Sequence, residues 1–382
     1  MVGLRGVPAA YSGIERHVEE IGARLVSAGH EITVFCHAVP GGVRPREYKG
    51  MRLRYVPAIR TKHLETITHT ALSVLTTIVG RYEVVHFHAL GPGALAPIPK
   101  YASTARVVQT IHGLDADRAK WGAPARRALK AAEWMSARTP DMTITVSETL
   151  RDHYRHQHHR ETVCIPNGVT PLTWDGAQPE TPLPNGLEDG GYVLFVGRLV
   201  PEKAPDVLIS AYKRLSTRRP LVIVGGSSHT DRYVQELEQL AAGDPRVTLT
   251  GPMYGAALDR LYANAGLFVS PSMLEAGPPI TMLEAIAHGL PVLGSDIPAQ
   301  VEALGDGGPG RRTFTAGATE SLVVTLQQAL SDLDGERAMA AQWRESVLAA
   351  HSWDAAARAT AEVYESVLRP VTGRRARRRG DD

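Results

Sequence analysis

The 382-residue sequence predicts an α/β protein of two facing domains, each a parallel sheet wrapped by helices. Three features predict it. Short β-branched, apolar runs alternate with helical stretches, and the alternation restarts after residue 190. A segment dense in Pro, Gly and acids, 171–190, separates the two series. The first series opens with MVGL as a short strand, followed by the turn-rich loop RGVPAAYSG. The next helix carries Ile14, Val18, Ile21 and Leu25 at helical spacing and is stopped by Gly29. EITVFC, YEVVHFHA and ARVVQTIHG are strands, and MTITVS follows a helical stretch over 123–139. In the second series GYVLFVG, PLVIVGG, RVTLTG and GLFVSPS are strands, with helices over 204–217 and 230–242. A helix runs from Ile280 to His288, and beyond 318 the chain is helical to 368. The expected divisions are an N-terminal domain 1–170, a linker 171–190 and a C-terminal domain 191–350. A last helix 351–368 is expected to cross back to the N-terminal domain, ahead of a basic disordered tail 369–382.

Composition narrows the class. With 43% hydrophobic and 21% charged residues the chain is globular, neither disordered nor fibrous. No apolar run reaches the ~18 residues of a membrane span. The N-terminus lacks the charged-then-apolar layout of a secretion signal, so a cytoplasmic protein is expected. Cys36 and Cys164 alone cannot build a disulfide framework or a zinc knuckle. The near-neutral total hides an asymmetry: residues 1–170 hold 22 Lys+Arg and 14 Asp+Glu, whereas 171–368 hold 14 and 24. Seven basic residues fall in 44–63, five in 118–130 and six in the tail. That pattern suits an anionic or lipid-linked acceptor, or peripheral contact with the inner face of a membrane, more than nucleic acid.

The loops at the strand ends select among nucleotide ligands. No G-x-G-x-x-G follows the first strand, and Cys36-His37-Ala38 stands where a dinucleotide site needs an acid. No phosphate-binding G-x-x-x-x-G-K-[ST] occurs. Asp115 and Asp117 form a D-x-D that could chelate a metal, a pattern common by chance. In VGRLVPEKAPDVLISAY, Arg198 and Lys203 flank a tight loop after a strand; a planar fork and a point charge together suit a diphosphate. In SPSMLEAGPPITMLEAIAHGLPV, the amides of Ile280 and Thr281 open a helix and form an anion site. Glu275 and Glu284 stand before and inside that helix, where carboxylates can accept hydrogen bonds from sugar hydroxyls. His86 and His88 share one strand face with no third ligand evident, so they are assigned to the core or the acceptor side. His153, His156, His158 and His159 are read as a solvated helix face.

These blocks, with IPNGV at 165–169 and SGIERHVEEIGARLVSAGHEITVF at 12–35, resemble the family 4 retaining glycosyltransferases of group 1 type. The resemblance spans roughly residues 1–350 and implies the GT-B architecture of two facing Rossmann-like domains. It implies a nucleoside diphosphate sugar as donor, a hexose-type sugar transferred to an acceptor hydroxyl, and no metal or other cofactor. Carried over by position, Arg198 and Lys203 hold the donor diphosphate, and Glu284 meets the ribose. Ile280 and Thr281 offer amides to the donor, His112 meets the donor sugar, and Gly13 lets the backbone approach it. One departure stands out: the family's first Glu should lie eight positions before Glu284, at Ala276, whereas Glu275 gives E-x8-E. A one-residue bulge is expected to let Glu275 still reach the sugar, the alternative being a sugar contact made by main chain alone. A sugar-nucleotide epimerase, a phosphorylase or a non-catalytic binding module are the alternatives.

Overall fold

The structure is a computed structural model that describes residues 1–9, 13–38, 44–59, 64–114, 122–170, 187, 191–227, 230–305 and 307–369. Asp115 and Asp117, nearly all of the linker, parts of both basic stretches and the tail beyond Arg369 lie outside these residues.

The first half runs α1 (Gly13–Ser27), β1 (Thr33–His37), β2 (Glu47–Tyr48), β3 (Met51–Val56), α2 (Leu64–Val79) and β4 (Val84–His88). It continues with α3 (Leu90–Gly93), α4 (Pro97–Ala102), β5 (Arg106–Ile111), α5 (Ala123–Ser136), β6 (Met142–Thr145), α6 (Glu148–His158) and β7 (Val163–Cys164). Strands β1, β3 and β2 form one sheet, and β4-β5-β6-β7 form a parallel second. MVGL does not form the expected full strand. Gly3 sits at φ +100°, where an added Cβ would strike the His88 carbonyl, so extended pairing is interrupted. Val2 nonetheless bridges Phe87, and the Phe35 amide donates to the Met1 carbonyl (3.1 Å), so residues 1–2 stitch β1 to β4.

The second half is β8 (Val193–Val196), α7 (Pro205–Tyr212), β9 (Leu221–Val224), α8 (Asp231–Ala241), β10 (Val247–Gly251), α9 (Ala256–Asn264) and β11 (Leu267–Ser270). Then come α10 (Ile280–Ala287), β12 (Val292–Ser295), α11 (Pro298–Leu304), β13 (Arg311–Phe314), α12 (Thr319–Ser331), α13 (Leu333–Ala350) and α14 (Trp353–Leu368). Its six parallel strands lie in the order β10-β9-β8-β11-β12-β13. The strands β8, β9 and β11 are buried along their whole length, as a doubly covered sheet requires. The order reverses between β8 and β11, so their carboxyl ends open a crevice, the usual ligand position in such sheets. The helix expected over 204–217 ends at Tyr212, because the Arg246 guanidinium takes the Leu215 and Thr217 carbonyls (2.9 and 2.7 Å). Helix α14 returns to the first half, where Trp353, Ala357, Val363 and Tyr364 pack with Ile21, Leu25 and Val108.

Candidate active site

At the crevice, β8 runs into Gly197 and Arg198, then a short 3-10 turn over Pro201–Lys203. Ala204, in the left-handed region at φ +47°, reverses the chain into α7. The loop after β11 is tied to this turn: the Met273 amide donates to the Glu202 carbonyl (2.8 Å), and Lys203 pairs with Glu275. Arg198, Val200, Glu202, Lys203, Leu274, Glu275 and Ala276 form the second-half wall of a cavity of about 160 Å³. The opposite wall comes from the first half: His112, Gly113 and Leu114 after β5, and Thr149, Leu150 and His153 on α6. The cavity therefore unites Arg198, Lys203, Glu275 and His112.

The other four predicted residues form a second group. Gly13 opens α1, and a Cβ added there would lie 3.3 Å from the Ile280 Cδ1 at the start of α10. The amides of Met282 and Leu283 both donate to the Pro279 carbonyl (3.0 Å), leaving those of Ile280 and Thr281 ahead of the helical ladder. Glu284, one turn on, accepts a hydrogen bond from the Tyr262 hydroxyl (3.1 Å). Burial pushes its carboxyl up to about 7, against the Tyr262 bond and the positive charge of Arg16 from α1. Helix α1 thus presents both a close backbone approach and a cation to the α10 side of the crevice.

Two histidine readings are corrected. His88 has neighbours from elsewhere in the chain: His112 lies 3.2 Å away, Nδ1 to Nε2, and the His17 ring sits 4.7 Å from that of His112. Three imidazoles cluster there because the strand ends of β4 and β5 and the first turns of α1 converge. Burial holds His88 and His112 well below the usual imidazole range and His17 at about 4, so all three are neutral. His17 is oriented by Asn167 of IPNGV (2.9 Å), whose carbonyl also meets His351 (3.0 Å). His86 is a core residue, bonded to Thr110 (2.7 Å) and Tyr364 (2.6 Å). His153 and His158 are not a solvated face; both turn inward to one Glu133 oxygen (2.7 Å each). Burial raises the Glu133 carboxyl, but the two imidazoles outweigh it and hold it below its ordinary range.

Sequence reasoning missed His17, Thr149, His153 and Ser147. Their partners stand far along the chain, and only the N-cap position of Ser147, directly before a helical run, is a local signal.

A two-domain α/β fold with facing cationic and imidazole walls at the sheet switch point defines a GT-B glycosyltransferase. Residues 190–332 match the family described as Glycosyl transferases group 1, and residues 11–171 the Glycosyltransferase Family 4. The chain belongs to this family of glycosyltransferases. An uncharacterized glycosyltransferase of Methanocaldococcus jannaschii is 25% identical over 96% of this chain and 98% of its own. The phosphatidyl-myo-inositol mannosyltransferase of Mycolicibacterium smegmatis is 26% identical over 78% of this chain and 76% of its own. Among solved structures, Anabaena HepE in complex with UDP and glucose superimposes with a TM-score of 0.79 at 17% identity, covering 94% of this chain and 98% of the other. No described helix is long and apolar enough to cross a membrane.

Proposed function

We propose that the protein transfers a hexose-type sugar, with retention of configuration, from a nucleoside diphosphate sugar to an acceptor hydroxyl. The observation that carries this reading is the cavity in which Arg198 and Lys203 from one half face His112 from the other. The bond from the anomeric carbon to the diphosphate breaks and one to the acceptor oxygen forms on the same face. The acceptor proton passes to a phosphate oxygen. Negative charge developing on the leaving diphosphate meets the Arg198 guanidinium, the Lys203 ammonium and the neutral Ile280 and Thr281 amides, two cations and two donors that stabilise it without a metal. Glu284 accepts from the ribose hydroxyls, and Glu275 and His112 border the sugar. UDP in the complex of the structurally similar Anabaena protein supports a nucleotide at this crevice. The inositol-lipid acceptor named for the mycobacterial relative and the basic first half support an anionic or lipid-linked acceptor, bound peripherally at a membrane.

Titration calorimetry with UDP, GDP, dTDP and ADP in EDTA tests the reading. Selective binding of one without metal is expected. Arg198→Ala and Lys203→Ala should each lower kcat by roughly 10²-fold or more, the usual effect of removing a charge-stabilising group. Undiminished turnover in either variant overturns the assignment.

A further inference from the structure

Ala276 stands at the position where the family spacing would put the first carboxylate, and it meets the opposite half of the molecule. Its carbonyl accepts a hydrogen bond from the Ser147 hydroxyl, and its methyl packs against a first-half core cluster that includes Val146, Leu150 and Tyr154. Ser147 is fully buried and its hydroxyl is satisfied in both roles, accepting from the Leu150 amide (3.1 Å) as the N-cap of α6. Gly277 leaves room only for a close approach: an added Cβ would lie 3.0 Å from Ser147 Cβ and 3.2 Å from the Val146 carbonyl oxygen. A second tie lies alongside. Glu302 of α11 accepts from the Glu148 amide (2.9 Å) and from the Thr149 amide and hydroxyl (3.4 and 3.2 Å). A carboxylate of one half thus caps the helix of the other, where the helix dipole favours it.

We propose that Ser147 and Glu302 are positioning residues: they lock the two halves over the loop after β11 and so hold Glu275 against Lys203 at the cavity. The inference rests on the glycosyl-transfer reading for its catalytic consequence but not for the lock itself. Ala276 gives the loop a carbonyl to offer Ser147 and a methyl to bury, while Glu275, one step earlier, faces Lys203. Parting the halves would break both ties together, so the catalytic constellation is complete only when the crevice is closed. Donor left in an open crevice would then meet water without the assembled site, which limits wasteful hydrolysis.

The test is carried out on the full chain with Ser147→Ala, Ser147→Thr, Glu302→Ala and the Ser147→Ala/Glu302→Ala double variant. Neither residue belongs to the donor-contacting set, so Kd for the nucleoside diphosphate that binds the wild type should stay within about twofold. Loss of the hydrogen bonds across the crevice should lower kcat roughly five- to tenfold in each alanine variant, with Ser147→Thr restoring the Ser147→Ala loss. Small-angle scattering of the unliganded proteins should give the double variant a larger radius of gyration than the wild type. Unchanged kcat with an unchanged radius overturns the proposal. Ser147→Ala also removes a helix cap; if it fails to fold, Glu302→Ala, which leaves that cap in place, decides alone. If the wild type binds none of the nucleotides, the transfer reading fails while the scattering comparison still decides the lock.

Discussion

Two carboxylates of the second half, nine residues apart, sit in different surroundings. Glu275 faces the Lys203 ammonium, whereas Glu284 is buried against the Tyr262 hydroxyl and pushed up to about 7. A raised carboxyl pKa means the folded state holds the proton more tightly than the unfolded chain does. The stability this group contributes is therefore complete below about pH 4 and is lost as pH rises through about 7, on the order of 3 kcal/mol in all. Glu284→Gln removes the titration, so its unfolding free energy should gain on that of the wild type between pH 5 and 8. Denaturation curves at four pH values check this, and a constant gap refutes it. On the proposed reading the ribose hydroxyls donate to the ionised carboxylate. Nucleotide affinity should then rise from pH 6 to 8 in the wild type, and that rise should be smaller in Glu284→Gln; equal slopes would remove Glu284 from the ribose site. The placement of Arg198, Lys203 and both glutamates about the crevice was legible because each stands in a local run whose turn and helix chemistry is visible. His17, His88 and Ser147 were not, since what matters about them is a partner tens to hundreds of residues away.

Elements were most legible where burial is complete. The inner strands β8, β9 and β11 of the six-stranded sheet are largely apolar runs because both faces are covered, and such runs announce themselves. The N-terminal segment was harder: its pairing with β1 and β4 is native, but Gly3 breaks the extended conformation after two residues. IPNGV was visible only as a resemblance. Its physical role is a junction, where Asn167 joins His17 to His351, Val169 bridges Ser352, and Gly168 leaves room for Trp353. From that junction α14 runs along α1 and β5, and its Tyr364 hydroxyl meets the buried His86 (2.6 Å). Tyr364→Phe keeps the ring and strands the imidazole nitrogen, at a cost of about 1–3 kcal/mol. The melting temperature should drop by several degrees with nucleotide affinity retained. An unchanged melting curve would mean that the bond adds nothing to stability.

At the scale of the whole molecule the basic excess and the most exposed apolar side chains fall on the same half. The first half carries the basic excess, and its helices leave Leu75 and Val79 of α2 and Tyr101 of α4 exposed, the last two by 84% and 81%. Exposed apolar side chains on a half with excess basic charge would suit the boundary of an acidic membrane, where each basic group near the surface adds about 1 kcal/mol of attraction and each buried apolar group anchors it. A lipid-linked acceptor would then be met where it resides. The prediction is co-sedimentation with vesicles containing anionic phosphatidylglycerol and none with purely zwitterionic ones. Raising salt shortens the screening length from about 10 Å at 0.1 M toward 3 Å at 1 M, so the bound fraction should fall severalfold across that range. Val79→Asp with Tyr101→Asp should weaken binding at low salt while leaving nucleotide affinity intact, because both positions lie outside the cavity that holds Arg198 and Lys203. Truncation after Arg369 should also reduce binding through the loss of five arginines, and the surface double variant separates that contribution from the helix face. Binding to neither kind of vesicle would assign the basic half to a small anionic acceptor instead, with saturable inhibition of transfer by inorganic phosphate as the expected companion result, whereas equal binding to both would leave the anchoring to the apolar side chains alone.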